Sequence, residues 1–290
     1  MFSGSMVALI TPLRDGQIDA DAFERLIEFQ IANGTTALVP CGSTGESATL
    51  THQEHVEVVR LAVKFAKGRV PIIAGTGSNS TAEAIALTRA AKETGANAAL
   101  LISPYYNKPT QEGIYQHYKV VAEAACFPLI VYNIPGRTAS KIEATTIARL
   151  AELEHIVGLK ESTGALDEVQ EVIRLCGSKI EVYSGDDALT LPVMAVGGAG
   201  VISVIANIMP KRCAEMAAAA LAENWPKARR LHYEMLPLMR ALFLETNPIP
   251  IKAAAAMMGY GRDELRLPLL PMSDAPRAKL RSVMQQFGLL

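Results

Sequence analysis

The stretch Ile156-Val157-Gly158-Leu159-Lys160-Glu161-Ser162 opens on an apolar run and ends that run on a lysine. Continuous hydrophobicity over so short a segment marks a strand covered on both faces, as in a parallel sheet wrapped by helices. An ammonium group buried at the end of such a strand costs several kcal/mol unless it is paired or neutralised. Lys160 therefore either sits at the strand's solvated end or is held there for its chemistry, and the segment alone leaves both open.

Runs of the same type recur at Met6–Ile10, Thr36–Pro40, Val70–Ala74, Ala98–Ser103, Leu129–Asn133, Ile180–Ser184 and Gly200–Val204. Between them, Ala22–Ala32, Glu54–Ala66, Thr81–Thr94 and Gly113–Ala125 have helical spacing. Asp21–Glu24, Thr51–Glu54, Ser80–Glu83 and Ser140–Glu143 fit the capping-box pattern at helix starts. Gly34, Gly68, Gly95 and Gly177 fall where those helices should stop. Strand and helix alternate eight times over roughly 220 residues, which predicts an α/β fold of the (β/α)8 TIM barrel type rather than an open doubly wound sheet. Beyond Glu223 the pattern changes to helices at Trp225–Glu245, Ile251–Met258 and Asp274–Phe287, punctuated by prolines. Residues 1–223 read as the catalytic barrel and 224–290 as a helical C-terminal region packed on it, with no linker rich in Gly and Ser between them.

Half of the 290 residues are hydrophobic, and the formal net charge is -1, so no basic stripe points to nucleic acid. No apolar stretch approaches the ~18 residues of a membrane span. Met1–Met6 lacks a basic leader and soon meets Thr11-Pro12, which argues against a signal peptide. Cys41, Cys126, Cys176 and Cys213 are scattered without zinc spacing, as in an intracellular, cytoplasmic enzyme.

In such a barrel the carboxyl ends of the strands form the active face. Those ends carry Gly42-Ser43-Thr44-Gly45-Glu46-Ser47, Gly75-Thr76-Gly77-Ser78-Asn79, Ser103-Pro104-Tyr105-Tyr106-Asn107, Tyr132-Asn133-Ile134-Pro135-Gly136-Arg137, Lys160-Glu161, Ser184-Gly185-Asp186-Asp187 and Ile202-Ser203. Hydroxyls, phenols, one arginine and one lysine converge there, without a His/Asp/Glu triplet of ligand spacing. That inventory suits Schiff-base chemistry. An amine nucleophile must shed its proton, desolvation helps it do so, and phenols and hydroxyls can carry protons without adding charge. An arginine can grip a carboxylate bidentately.

Across its whole length the chain resembles the dihydrodipicolinate synthase and N-acetylneuraminate lyase family of pyruvate-dependent class I aldolases. The resemblance rests on Gly42–Ser47, Pro71–Gly77, Pro104–Pro109, Tyr132–Arg137, Gly158–Glu161 and Ser184–Asp187, occurring in the family's order. It implies a lyase of lysine and diaminopimelate biosynthesis that condenses pyruvate with L-aspartate 4-semialdehyde and needs no cofactor or metal. By the same resemblance Lys160 forms the imine, and Tyr132, Ser43 and Tyr106 form a proton relay, with Tyr106 supplied by a neighbouring subunit. Thr44 grips the pyruvate carboxylate, Arg137 holds the semialdehyde carboxylate, and Gly185 and Ile202 shape the pocket. A homotetramer built as a dimer of tight dimers is implied. So is feedback inhibition by L-lysine at a second site of Ala48, His52, His55, Gly77, Asn79, Glu83 and Tyr105. The family usually has Thr-Thr in the first loop where this chain has Ser43-Thr44, which keeps the hydroxyl but drops the methyl that restricts its rotamers.

Blander readings attach to several of these residues. Tyr132 and Tyr106 could be barrel-end aromatics, Glu83 could only cap its helix, and His52 and His55 have a metal-like spacing with no third partner. Asp186-Asp187 is a paired carboxylate whose side chains should point apart. Within the family the competing activity is cleavage of N-acetylneuraminate or a 2-keto-3-deoxy sugar acid. Arg137 favours the small carboxylate substrate.

Overall fold

The computed structural model describes residues 2–290, so Met1, the first residue of the N-terminal stretch read above, lies outside the described residues. Eight strands alternate with helices: β1 (Gly4–Ala8), β2 (Ala37–Val39), β3 (Ile73–Gly75), β4 (Ala98–Ile102), β5 (Leu129–Asn133), β6 (Ile156–Glu161), β7 (Glu181–Ser184) and β8 (Gly200–Ser203). Neighbouring strands are parallel throughout, and β1 pairs with both β2 and β8. A bridge between Leu38 and Ile72 joins β2 to the residues leading into β3 and closes the ring. The fold is the (β/α)8 TIM barrel, with a helical extension at its C-terminus.

Strand boundaries differ from the reading in instructive places. β3 starts at Ile73 rather than Val70, because Pro71 has no N–H for the ladder and serves only as an acceptor, from Leu38 N at 3.0 Å. β1 begins earlier, at Gly4, although Ser5 interrupts its apolar pattern. β6 runs through Lys160 to Glu161, so the lysine lies within the strand.

Alternate residues divide the strands between two apolar layers. Met6, Val39, Ile73, Leu100, Ile130, Tyr132, Tyr183 and Ile202 fill the barrel interior. Val7, Leu38, Leu101, Val131, Leu159 and Val182 face outward against the helices.

The first helix, α1 (Ala20–Ala32), is capped by Asp19, whose carboxylate accepts from Ala22 N. Asp21, expected in that role, lies two residues further in, inside the first turn, so its capping box does not form. α2 (His52–Ala66) carries the reciprocal Thr51/Glu54 box as expected. α3 (Thr81–Glu93) has only half a box: Ser80 accepts from Glu83 N, while the Glu83 carboxylate turns to His52 and Ser78. α4 (Gln111–Ala125) precedes β5, and α5 (Ala144–Leu150) begins after Glu143 with no side-chain cap. The Ser140–Glu143 box is therefore absent. Ser140 is buried, and its N–H donates to Thr138 Oγ1 instead. α6 (Leu166–Cys176), α7 (Thr190–Ala195) and α8 (Pro210–Leu221) complete the barrel. The extension comprises α9 (Trp225–Ala241), packed on α8 and α11, then α10 (Ile249–Met257) and α11 (Asp274–Gln286). Among the described residues no helix is long and apolar enough to cross a membrane.

Candidate active site

Strand register builds the centre of the site. Tyr132 on β5 pairs with Lys160 on β6, which pairs with Tyr183 on β7, so the three side chains share the inner face. Lys160 is 5% exposed, and its Nζ lies 4.2 Å from the centroid of the Tyr132 ring. Among the described residues no carboxylate pairs with it. The solvated-end alternative for this lysine is thereby removed.

Glycines make the room for it. A Cβ on Gly185 would stand 1.9 Å from Ser162 Oγ and 2.9 Å from Lys160 Cε, so only hydrogen fits beside the lysine stem. A Cβ on Gly158, two residues before the lysine, would meet the Tyr183 ring at 2.9 Å. Ile202 is fully buried in the same interior layer.

The loop after β2 is tightly wound. Gly45 N and Glu46 N donate back to Gly42 O and Ser43 O at 3.0 and 3.2 Å, and a Cβ on Gly45 would lie 3.0 Å from Leu9 O. Thr44 is buried, and its Oγ1 accepts from Asn247 Nδ2 at 3.0 Å. Arg137 projects from the one-turn helix Pro135–Thr138, exposed, with Nη2 donating to Asn247 O at 2.7 Å.

A cleft of roughly 440 Å³ opens above this centre, with Ser43, Tyr132, Arg137 and Asn247 on its wall. Ala48, His52, His55, Gly77, Glu83 and Tyr105 line the same cleft, so both expected sites share one continuous opening in the single chain. Lys160, Thr44, Gly185, Ile202, Asn79 and Tyr106 are not part of that wall. Asn79 is tied to the neighbouring loop: its Nδ2 donates to Tyr105 O at 3.2 Å, and Asn107 Nδ2 donates to Asn79 O at 2.9 Å. Tyr106, expected to complete the relay of a neighbouring subunit, does not line its own chain's cleft. It is 89% exposed and held at φ 70, a left-handed conformation uncommon for a bulky residue.

Electrostatics sort the acidic candidates. The hydrogen bond from Ser78, then the contact with His52, holds the Glu83 carboxyl below the usual range. The His52 Nε2–Glu83 Oε1 distance is 2.5 Å, so the capping-only reading of Glu83 does not describe its side chain. Burial pushes His55 down, and its Nε2 donates to Gly75 O at 2.6 Å. Asp187 is buried and pushed up by desolvation, although it accepts from Val204 N and Ile205 N at 3.0 and 2.9 Å. Asp186 instead accepts from Ala188 N at 2.8 Å, so the adjacent carboxylates do diverge. Among the described residues no three His, Cys, Asp or Glu side chains gather as a metal site.

Residues 1–287 match the model of the dihydrodipicolinate synthetase family. The chain belongs to that family. It is 55% identical over 291 residues to the 4-hydroxy-tetrahydrodipicolinate synthase of Syntrophobacter fumaroxidans, with 100% of both chains covered. Among solved structures it is similar to the chloride-inhibited dihydrodipicolinate synthase from Acinetobacter baumannii complexed with pyruvate, at 47% identity, TM-score 0.98 and 100% coverage of both chains. It is also similar to the enzyme from Cyanidioschyzon merolae with lysine bound, at 39% identity and TM-score 0.97, covering 100% of this chain and 99% of that one.

Part of this family member's site escaped sequence reasoning altogether. Asn247 on the cleft wall, and Lys252 and Arg266 behind the cleft's Glu46, come from the C-terminal region, where no functional residue was expected. Lys252 is 1% exposed and ion-paired with Glu46, which is 4% exposed and also accepts from Arg266 N at 3.1 Å. Burial lowers the Lys252 pKa, and Glu46 opposes that shift. The available signal was a lysine inside the apolar run Ile249–Met258, the same kind of signal that singled out Lys160.

Proposed function

We propose that this chain is a 4-hydroxy-tetrahydrodipicolinate synthase, a Schiff-base lyase that condenses pyruvate with L-aspartate 4-semialdehyde for lysine and diaminopimelate biosynthesis. The observation that carries the proposal is a buried lysine with no carboxylate partner among the described residues, lying against a tyrosine ring at the active face of a barrel of this family.

The Lys160 amine adds to the ketone carbon of pyruvate, and loss of water leaves an imine. Removal of a methyl proton converts the imine to an enamine, whose carbon attacks the aldehyde carbon of the semialdehyde. The aldehyde oxygen takes up a proton. The substrate's own amino group then closes the ring on the imine carbon and releases the lysine. No step calls for a redox partner or a metal.

Tyr132, the phenol beside Lys160, is assigned the proton transfers, with Ser43 and Tyr106 relaying them to water. Thr44 takes the pyruvate carboxylate, Arg137 that of the semialdehyde, and Gly185 and Ile202 bound the pocket. Two adjacent tyrosines on one loop, 37% and 89% exposed, support a partner subunit that receives Tyr106, within a homotetramer of tight dimers. Glu83, released from capping duty and facing a shared cleft with Ala48, His52, His55, Gly77 and Tyr105, supports an L-lysine inhibitory site there, completed by Asn79. Residues 224–290 act as an extension of the 1–223 barrel rather than a separate module, and the cytoplasm is the assigned compartment.

Borohydride reduction in the presence of pyruvate, followed by an acceptor screen, tests the whole reading. A reduced pyruvyl adduct and condensation with aspartate semialdehyde are expected. Efficient cleavage of N-acetylneuraminate without that condensation would transfer the chain to the sugar-lyase branch.

A further inference from the structure

Asn247 touches both groups assigned to hold substrate carboxylates. Its backbone carbonyl accepts from Arg137 Nη2 at 2.7 Å, and its side-chain Nδ2 donates to Thr44 Oγ1 at 3.0 Å. The residue is 6% exposed and forms part of the cleft wall. It reaches Thr44 from more than 200 residues away, across the junction between the barrel and the C-terminal region.

Its remaining side-chain atom is the informative one. Asn247 Oδ1 is buried with no protein hydrogen-bond partner among the described residues. A buried acceptor left unpaired is a liability for stability, so such groups call for another explanation. The donor half of the amide, by contrast, has a defined job. A threonine hydroxyl has one proton and two lone pairs. When Nδ2 occupies a lone pair, the hydroxyl proton is left to point elsewhere, and Thr44 donates to no other protein group among the described residues.

We infer that Asn247 is a positioning residue that orients the Thr44 hydroxyl as a donor to the pyruvate carboxylate, while its main chain steadies Arg137 for the second substrate. This rests on the assignment of Thr44 above. The two halves of the residue separate cleanly under mutation. Asn247→Ala removes the side-chain contact with Thr44 but keeps the carbonyl that Arg137 uses. The KM for pyruvate should rise about three- to tenfold, the loss of one hydrogen bond's orienting effect, with the KM for the semialdehyde within about twofold of wild type.

Asn247→Asp should be worse for pyruvate than Asn247→Ala. A carboxylate can only accept, so it would draw the Thr44 proton back towards itself and add a negative charge near the substrate's own. In a Thr44→Val background, Asn247→Ala should cost nothing further for pyruvate, because residues that act through one another are not additive. Thermal melting of each variant supplies the control, and Asn247→Ala should melt close to wild type, having lost a bond and an orphan acceptor together.

An Asn247→Ala enzyme with a lowered melting temperature and an unchanged pyruvate KM would overturn the inference. So would equal rises in both KM values, or full additivity with Thr44→Val. If Thr44→Val itself leaves the pyruvate KM unchanged, the fault lies in the assignment of Thr44. If wild-type enzyme fails to condense the semialdehyde at all, it lies in the proposed function.

Discussion

Two buried lysines, Lys160 in β6 and Lys252 in α10, sit in apolar surroundings and are 5% and 1% exposed. Their neighbours separate them. Lys252 is paired with Glu46, itself held by Arg266 N, so the charge is compensated and the contact ties α10 to the loop after β2. Lys160 has the ring of Tyr132 at 4.2 Å and no carboxylate partner among the described residues. Burial alone therefore does not mark a reactive lysine. What sets Lys160 apart is that, among the described residues, no carboxylate holds its amine in an ion pair, so the nitrogen is left free to meet a substrate.

Replacing the first lysine gives the largest expected effect. Lys160→Ala should abolish the borohydride-trapped pyruvyl adduct and reduce condensation to background. Peptide mapping in the wild type should place the adduct on the peptide containing Lys160. An adduct on Lys252 would break the comparison outright.

Lys252 should fail in the opposite way. Lys252→Met leaves Glu46 buried without its partner, which costs about 3–5 kcal/mol for such pairs. Chemical denaturation should show that loss, while the pyruvate adduct still forms in whatever enzyme remains folded. Lys252→Met combined with Glu46→Gln should recover most of the stability, since the pair costs most when only one partner is removed. A double variant no more stable than the single would refute the pairing account.

Arg137, unlike the two lysines, is exposed and lies on the cleft wall, and its loss should affect neither the adduct nor the fold. Arg137→Ala should raise the KM for aspartate semialdehyde about tenfold to a hundredfold, the value of a charge-assisted hydrogen bond of about 1.5–3 kcal/mol. Steady-state kinetics at saturating pyruvate reads this directly, and an unchanged KM would remove Arg137 from the binding of the second substrate.

The same contrast can be drawn between two carboxylates, Glu46 locked on a lysine and Glu83 on the half-exposed edge of the cleft with His52. Glu83→Ala should shift inhibition by L-lysine to about tenfold higher concentration, with little change in uninhibited turnover. Inhibition unaltered in that variant would move the regulatory site elsewhere.

The barrel was legible because its signals are local. β5 was read at Leu129–Asn133, where it stands, and the Thr51/Glu54 box announced α2. Errors fell where a nearby group competes for the same hydrogen bond. Glu83 had a capping position but found His52 and Ser78, and Asp19 displaced Asp21 as the cap of α1. Motif residues such as Lys160 and Tyr132 could be assigned to the ends of successive strands, while the register that sets them side by side, with its shift between Leu129 and Ile130, belongs to the fold. The contacts of Asn247 with Thr44 and of Lys252 with Glu46 could not be read, since those partners lie more than 200 positions away and meet them only once the extension folds back over the barrel. An Asn-Pro dipeptide signals a turn and says nothing of what the turn will touch.

Gly185 leaves a practical legacy for anyone redesigning the pocket. With a Cβ there only 1.9 Å from Ser162 Oγ and 2.9 Å from the lysine stem, a library randomised at this position should return glycine alone among its active clones. A side chain there must displace the Ser162 hydroxyl and crowd the Lys160 stem before it can narrow the pocket from the β7 side. Variants that accept larger or smaller aldehydes will have to be sought on the cleft wall, around Arg137 and Asn247, where the chain has side chains to trade.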